Sequence, residues 1–230
     1  RRRARDLNWL FTTDRVHPRG RRHTQDQYLE FVEHLGIDPH PAVWDIPISD
    51  EEREAQERFF AGLDRPACAV VVGTSKPQKN WHAAGYARVL DELESRWKLR
   101  PVLVGGPSPV ERRIADEVLS LTRARVIDCL GDDVRRLVWL LDGSSLVISP
   151  DTGPLHISRA LERPVVGLFG YTNPKRTGPW RMYQDLVVDG YAEFAGEAYP
   201  VTPKTRDGMR RVSVEAVLEK VELAMEKYVG

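Results

Sequence analysis

Leu146-Val147-Ile148-Ser149-Pro150-Asp151-Thr152-Gly153-Pro154-Leu155-His156 runs on through Ile157-Ser158-Arg159-Ala160-Leu161-Glu162-Arg163-Pro164 into Val165-Val166-Gly167-Leu168-Phe169. Leu146–Ser149 reads as a strand, Pro154–Leu161 as a short helix and Val165–Phe169 as a second strand. Neither apolar run alternates with polar residues, so both faces of each strand must be covered. That is the pattern of a parallel sheet with helices on both sides.

The same unit repeats upstream. Cys68–Val72 is a strand before an amphipathic helix over His82–Trp97, with Tyr86, Val89, Leu90 and Leu93 on one face. Pro101–Val104 precedes a helix over Ser108–Leu121 carrying Ile114, Val118 and Leu121. Arg125–Cys129 is a third strand, and Asp132 or Asp133 caps a helix bearing Val134, Leu137, Val138 and Leu141. Leu186–Val188 is a candidate sixth strand. A closing helix runs over Val214–Tyr228, with Val214, Val217, Leu218, Val221 and Met225 inward. Nearer the start, Tyr28, Phe31, Val32 and Leu35 share a face of a helix beginning at Thr24 and stopped by Gly36. Val43–Ile48 has the composition of a short strand. Ser49 and Glu52 form a capping box for a helix to about Leu63. The fold class is α/β, a doubly wound, Rossmann-like parallel sheet.

The chain has 230 residues, about one and a half domains at roughly 150 residues each. It starts at Arg1, with Arg2, Arg3 and Arg5 close by, and the expectation is that it begins partway into a longer protein. Hydrophobic residues make up 41%, enough for a core, so global disorder is excluded. No apolar run approaches the roughly 18 residues of a membrane span, and no signal peptide opens the chain. Lys plus Arg and Asp plus Glu are 34 each, so the global basic footprint of a nucleic-acid binder is absent. Arg15, Arg19, Arg21 and Arg22 form a local basic stretch, weighed as a solvated edge rather than a binding patch. Cys68 and Cys129 lie in strand-like runs, as buried free thiols do in a reducing cytoplasm. No metal-ligand spacing of Cys or His occurs.

In a doubly wound sheet, ligands bind at the carboxyl ends of the strands. The first such loop, Gly73 to Trp81, offers Thr74, Ser75, Lys76 and Lys79. Hydroxyls, backbone N–H groups and a lysine can hold phosphate, but a polar loop with a solvent lysine has the same composition. The second glycine and the Lys-Ser/Thr pair of a Walker A loop are missing. Gly105-Gly106 permits close approach of a ligand and equally a tight turn. The loop after the fourth strand says more. Thr152 is a natural N-cap, Gly153 leaves space, and Pro154 suits the first turn, so the helix start can receive a pyrophosphate. Asp151 would repel that anion unless it faced something else, such as a sugar hydroxyl. His156, one turn in, could reach a ligand or bond a neighbouring loop.

The Asp151-to-His156 run resembles the signature loop of the bacterial heptosyltransferases, glycosyltransferase family 9. So do Arg159 to Gly170, Thr172-Asn173-Pro174 and Thr177-Gly178-Pro179. The likeness extends to Lys79, Trp81, Gly105-Gly106-Pro107 and Gly208 to Val212, roughly residues 66–230 in order. His23, Tyr28-Leu29 and Leu35-Gly36 resemble the end of the family's N-terminal half.

The resemblance implies the GT-B architecture, with a donor domain and an acceptor domain across a cleft. It implies metal-independent, cofactor-free, inverting transfer of a sugar from a nucleotide-sugar donor, expected to be ADP-heptose, to a lipid-linked, lipopolysaccharide-core-like acceptor. Residues 49–230 would be the donor domain, with 213–230 its closing helix, and 1–48 the remnant of the acceptor domain and the linker. The implied donor site comprises Lys79, Thr74 and Ser75 at the diphosphate and Thr152, Gly153, Pro154 and Leu155 at the helix start. Asp151 would face the sugar, His156 would stand beside it, and Gly105, Gly106 and Asp132 would lie near ribose and base. No segment matches the family's first strand with its aspartate base, so donor binding without catalysis is expected of this chain alone. Cytoplasmic location is implied, with the arginine-rich start touching anionic headgroups of the inner membrane or packing on the absent domain.

The sequence also departs from the family. Residues 187–207 lack the cysteine cluster of many relatives. Tyr171 stands for a frequent proline and Asn173 for a frequent aspartate. Pro109 falls where an acidic residue near the ribose is common, which leaves nucleotide identity open. The competing readings are a UDP-sugar GT-B enzyme, which would place a glutamate-bearing glycine-rich motif after the fourth strand, and a non-catalytic nucleotide-binding module.

Overall fold

The computed structural model describes residues 10–17, 19–131 and 133–230. Two helices come first, α1 (Thr24–His34) and α2 (Asp50–Ala61). An alternation follows: β1 (Ala67–Val71), α3 (Ala83–Ser95), β2 (Arg100–Val104), α4 (Pro109–Leu121), β3 (Ile127–Asp128) and α5 (Val134–Gly143). Then come β4 (Leu146–Pro150), α6 (Gly153–Ala160), β5 (Val165–Phe169), the short α7 (Pro174–Thr177), β6 (Val187–Asp189) and α8 (Val214–Ala224).

The strand order is β3-β2-β1-β4-β5-β6, every pair parallel. β1 sits centrally, with Cys68 opposite both Pro101 of β2 and Leu146 of β4. Its five residues are all buried, as are those of β2, β4 and β5. The continuous apolar runs thus lie where neither strand face meets water. The chain winds one way from β1 to β3 and the other way from β4 to β6. The switch point, where such sheets open a crevice, falls between the carboxyl ends of β1 and β4.

Local signals set the helix starts. Ser49 accepts from the Glu52 amide and Glu52 accepts from the Ser49 amide, a complete capping box contributing about 1 kcal/mol. Asp133 caps α5 through the amides of Arg135 and Arg136. Tyr86, Val89, Leu90 and Leu93 of α3 are buried as one face. Leu121 and Val134, at helix ends, are exposed instead. Both cysteines are free and buried, and burial pushes their thiols up from the ordinary range.

Three expectations are corrected. Val43–Ile48 is not a strand. Pro41 and Pro47 bracket and interrupt it, removing ladder donors. Its aromatic residue, Trp44, packs edge-on to Trp180 at 6.0 Å, and Arg135 donates to the Pro47 carbonyl at 2.5 Å. The third strand shrinks to Ile127–Asp128, an edge paired only with β2. The last helix is regular only to Ala224 and continues as a π turn over Met225–Val229. The α1 face bearing Tyr28, Phe31 and Leu35 points outward, with Leu35 74% exposed.

Candidate functional site

At the switch point the loop after β1 folds back on itself. The Thr74 hydroxyl accepts from the Lys76 amide (3.1 Å) and donates to the Lys76 carbonyl (2.9 Å). The Thr74 amide donates to Asn80 Oδ1 at 2.8 Å. A 3-10 turn over Pro77–Lys79 then brings Lys79 over the end of β4. Lys79 Nζ donates to both the carbonyl and the carboxylate of Asp151, each at 2.8 Å.

Asp151 is the hub. Its side chain is 7% exposed and that of Lys79 17%. Thr172, in the loop after β5, donates to Asp151 Oδ2 at 2.5 Å, and Thr177 of α7 donates to the same oxygen at 3.3 Å. His156 Nε2, on the first turn of α6, stands 3.5 Å from Oδ1. Burial acts to raise the Asp151 pKa. The hydrogen bond from His156, the charge and hydrogen bond of Lys79 and the Thr172 hydroxyl outweigh it and hold the group down to about 2. Asp151 is therefore an anion at neutral pH whose charge is already matched. The carboxylate that would repel a neighbouring anion is thus neutralised by the protein's own groups.

Gly153 opens α6, and a Cβ there would meet nothing within 4 Å. The start of an eight-residue helix with space above it thus adjoins a lysine and two threonine hydroxyls. Unpaired helix-start amides beside a lysine and hydroxyls have the chemistry to hold an anion.

A family model described as glycosyltransferase family 9 (heptosyltransferase) matches residues 1–194. The chain belongs to glycosyltransferase family 9. Its relatives include the lipopolysaccharide core heptosyltransferase OpsX of Haemophilus influenzae, 28% identical over 198 residues, 86% of this chain and 56% of the relative. Lipopolysaccharide heptosyltransferase 3 of Escherichia coli is 28% identical over 162 residues, 69% of this chain and 47% of the relative. Among solved structures, the glycosyl transferase family 9 protein from Veillonella parvula superposes with a TM-score of 0.79 at 25% identity, over 96% of this chain and 65% of that one. The E. coli heptosyltransferase WaaC with ADP shares the fold, with a TM-score of 0.64 at 20% identity over 94% of this chain and 61% of that one. The chain spans about half the length of the curated relatives it matches.

In this family 9 chain, the residues singled out in sequence divide by role. Lys79, Asp151 and His156 converge. Ser75 is exposed at the loop tip, and Thr152 sits at the N-cap position of α6 without a side-chain cap bond. Two others are used internally. Thr74 is 3% exposed and its hydroxyl organises the loop. Leu155 is fully buried, with its amide on the Thr152 carbonyl at 3.2 Å, because the inward face of α6 packs onto β5. Pro154 brings no N–H. Asp132 lies outside the described residues. Its neighbour Gly131 donates to the Gly105 carbonyl at 3.1 Å, which joins that turn to the glycine loop.

Sequence reasoning passed over Glu111. Its carboxylate accepts from the Gly106 amide (3.0 Å) and the Ser108 hydroxyl (2.6 Å). A Cβ on Gly73 would come within 2.8 Å of its Cγ. Glu111 therefore wedges between the loops after β1 and β2, two positions beyond Pro109. The available signal was the spacing of Ser108 and Glu111, an N-cap followed three residues on by Glu. Among the described residues no group of three His, Cys, Asp or Glu is placed to hold a metal ion, and no helix is long and apolar enough to cross a membrane.

Proposed function

We propose that this chain is the donor-binding part of a heptosyltransferase, with ADP-heptose as donor and a lipid-linked, lipopolysaccharide-core-like saccharide as acceptor. The observation that carries the reading is the Lys79–Asp151–Thr172 cluster at the switch point, beside the open start of α6. In this reading residues 49–230 are the donor domain, 1–48 are the end of the acceptor half and the linker, and the enzyme is cytoplasmic and peripheral at the inner membrane. In the reaction an acceptor hydroxyl oxygen attacks the anomeric carbon from the face opposite ADP. The glycosidic C–O bond breaks with its electron pair going to the β-phosphate, and the hydroxyl proton passes to a base in the acceptor half. Lys79 and the α6 start stabilise the negative charge that grows on the leaving diphosphate. Asp151 keeps Lys79 and the two threonines oriented.

Calorimetry with ADP, UDP and GDP tests this reading. ADP should bind with clear preference. Absence of ADP binding, or a preference for UDP, would sink it. Glu111 is assigned to the ribose hydroxyls, as an acceptor in place of an acid at Pro109. Glu111→Gln should lower ADP affinity roughly fivefold while leaving pyrophosphate affinity unchanged. An equal loss for both ligands would show that Glu111 only shapes the glycine loop.

A further inference from the structure

His23 lies far outside the strand-end loops, yet it touches the site through one turn. It precedes α1, and its Nδ1 accepts from the Gln25 amide at 3.1 Å. Its Nε2 is 2.8 Å from the Gly178 carbonyl oxygen. An amide can only donate and a carbonyl can only accept, so both contacts together fix the tautomer. Nδ1 is bare and Nε2 carries the proton. Three residues on, Asp26 accepts from the Trp180 indole at 2.9 Å and from Arg181 at 3.3 Å. The first turn of α1 thus grips residues 178–181 at two points. The residue immediately before that grip is Thr177, whose hydroxyl reaches Asp151.

We infer that His23 is a positioning residue for the donor site: its neutral imidazole, held between the Gln25 amide and the Gly178 carbonyl, keeps the Thr177–Gly178 turn where Thr177 meets Asp151. The inference rests on the donor-site reading of the Asp151 cluster. It makes the segment before residue 48 a working part of that site. It also carries a pH sign. Protonation would place a hydrogen on Nδ1 facing the Gln25 N–H, which breaks the α1 cap, while Nε2–H goes on donating to Gly178. Burial lowers the His23 pKa, opposed by the Gly178 hydrogen bond and by Asp26 and aided by His156 and Arg176. The cap is therefore intact above the ordinary histidine range and is lost as pH falls through the lowered value, while the Gly178 bond persists with a charged donor.

Three substitutions in the 230-residue chain separate this role from simple helix capping. Asn mimics Nδ1 and Gln mimics Nε2. His23→Gln should therefore keep the Gly178 bond and bind ADP within about twofold of wild type. His23→Asn, which keeps only the cap, and His23→Ala should each lose roughly fivefold to tenfold in ADP affinity. The reverse order, with Asn near wild type and Gln impaired, overturns the inference. Imidazole 15N resonances should show a bare Nδ1 in His23 at neutral pH, and the opposite tautomer overturns it too. On acidification the Thr177 and Gly178 amides should shift with His23's own midpoint, a step absent from His23→Gln. Amides that shift with the His156 midpoint, or not at all, also overturn it. If the wild-type chain binds no ADP, the donor reading fails, and the His23 contact is judged on the tautomer and the amide titration alone.

Discussion

Lys79→Ala is expected to weaken ADP binding roughly 10- to 100-fold, the range for losing a hydrogen bond to a charged group. The same substitution should destabilise the empty chain. Lys79 supplies two of the contacts that hold Asp151, and both side chains are largely buried. Removing one partner leaves a carboxylate poorly solvated, which costs about 3–5 kcal/mol for a fully buried pair. Here Thr172, Thr177 and His156 remain, so the expected cost is nearer 2 kcal/mol. The pH dependence follows from the depressed Asp151 pKa of about 2. A lowered carboxylate contributes stability that is complete above the unfolded value, near 3.9, and is lost as pH falls through the folded value. The wild-type contribution is about 2 kcal/mol at neutral pH and is lost progressively between about pH 5 and pH 1. In Lys79→Ala the contribution should be smaller and its loss complete at a higher pH. Denaturant melts between pH 2 and 7, with ADP calorimetry at pH 7, measure both effects. Unchanged ADP affinity would remove Lys79 from the site, whatever the melts show.

What could be seen in the sequence was what neighbours in the chain decide. The buried strands announced themselves because Val70, Leu103, Ile148 and Val166 belong to runs with no polar alternation. The Ser49–Glu52 box and the Asp133 cap are bonds across two or three residues. The edge strand was overestimated for the same reason: the apolar residues of Arg125–Cys129 do not reveal that only Ile127 and Asp128 find a partner. Contacts that depend on the winding order stayed hidden. Lys79 and Asp151 are 72 residues apart and meet because β1 lies beside β4. His23 and Gly178 are 155 apart. Thr172 and Thr177 stood in segments that resemble the family, but nothing in their spacing aims both hydroxyls at one carboxylate oxygen. Glu111 was legible as half of an N-cap and not as a wedge, because its target is backbone from another loop.

Gly208→Ala should be among the most damaging single methyls in the chain, and for a reason unconnected with ligand. Gly170 follows β5, Gly190 follows β6, and Gly208 leads into the turn before α8. Their backbones cross at one point. A Cβ on Gly208 would collide with the Gly190 carbonyl, come within 2.5 Å of the Gly170 carbonyl and within 2.6 Å of Arg211 Nη2. Only the arginine could move aside. The Gly190 amide is held on the Phe169 carbonyl at 2.7 Å, and the Gly190 carbonyl accepts from Arg211 Nε at 2.9 Å. With two backbones unable to retreat, the overpacking cost should reach the top of its usual range, about 3 kcal/mol. That corresponds to roughly 6–12 °C in Tm for a chain of this size. Gly153→Ala is the matched opposite. Its Cβ meets nothing within 4 Å and its φ needs no glycine, so Tm should hold within about 2 °C. The added methyl would stand in the open space above α6, and ADP affinity should fall at least tenfold through lost approach to the helix start. Thermal melts and calorimetry on the two variants thus separate a glycine kept for the fold from one kept for the ligand. A Gly153→Ala chain that bound ADP normally would move the diphosphate away from α6, and a Gly208→Ala chain with an unshifted Tm would mean the three backbones do not cross as closely as described.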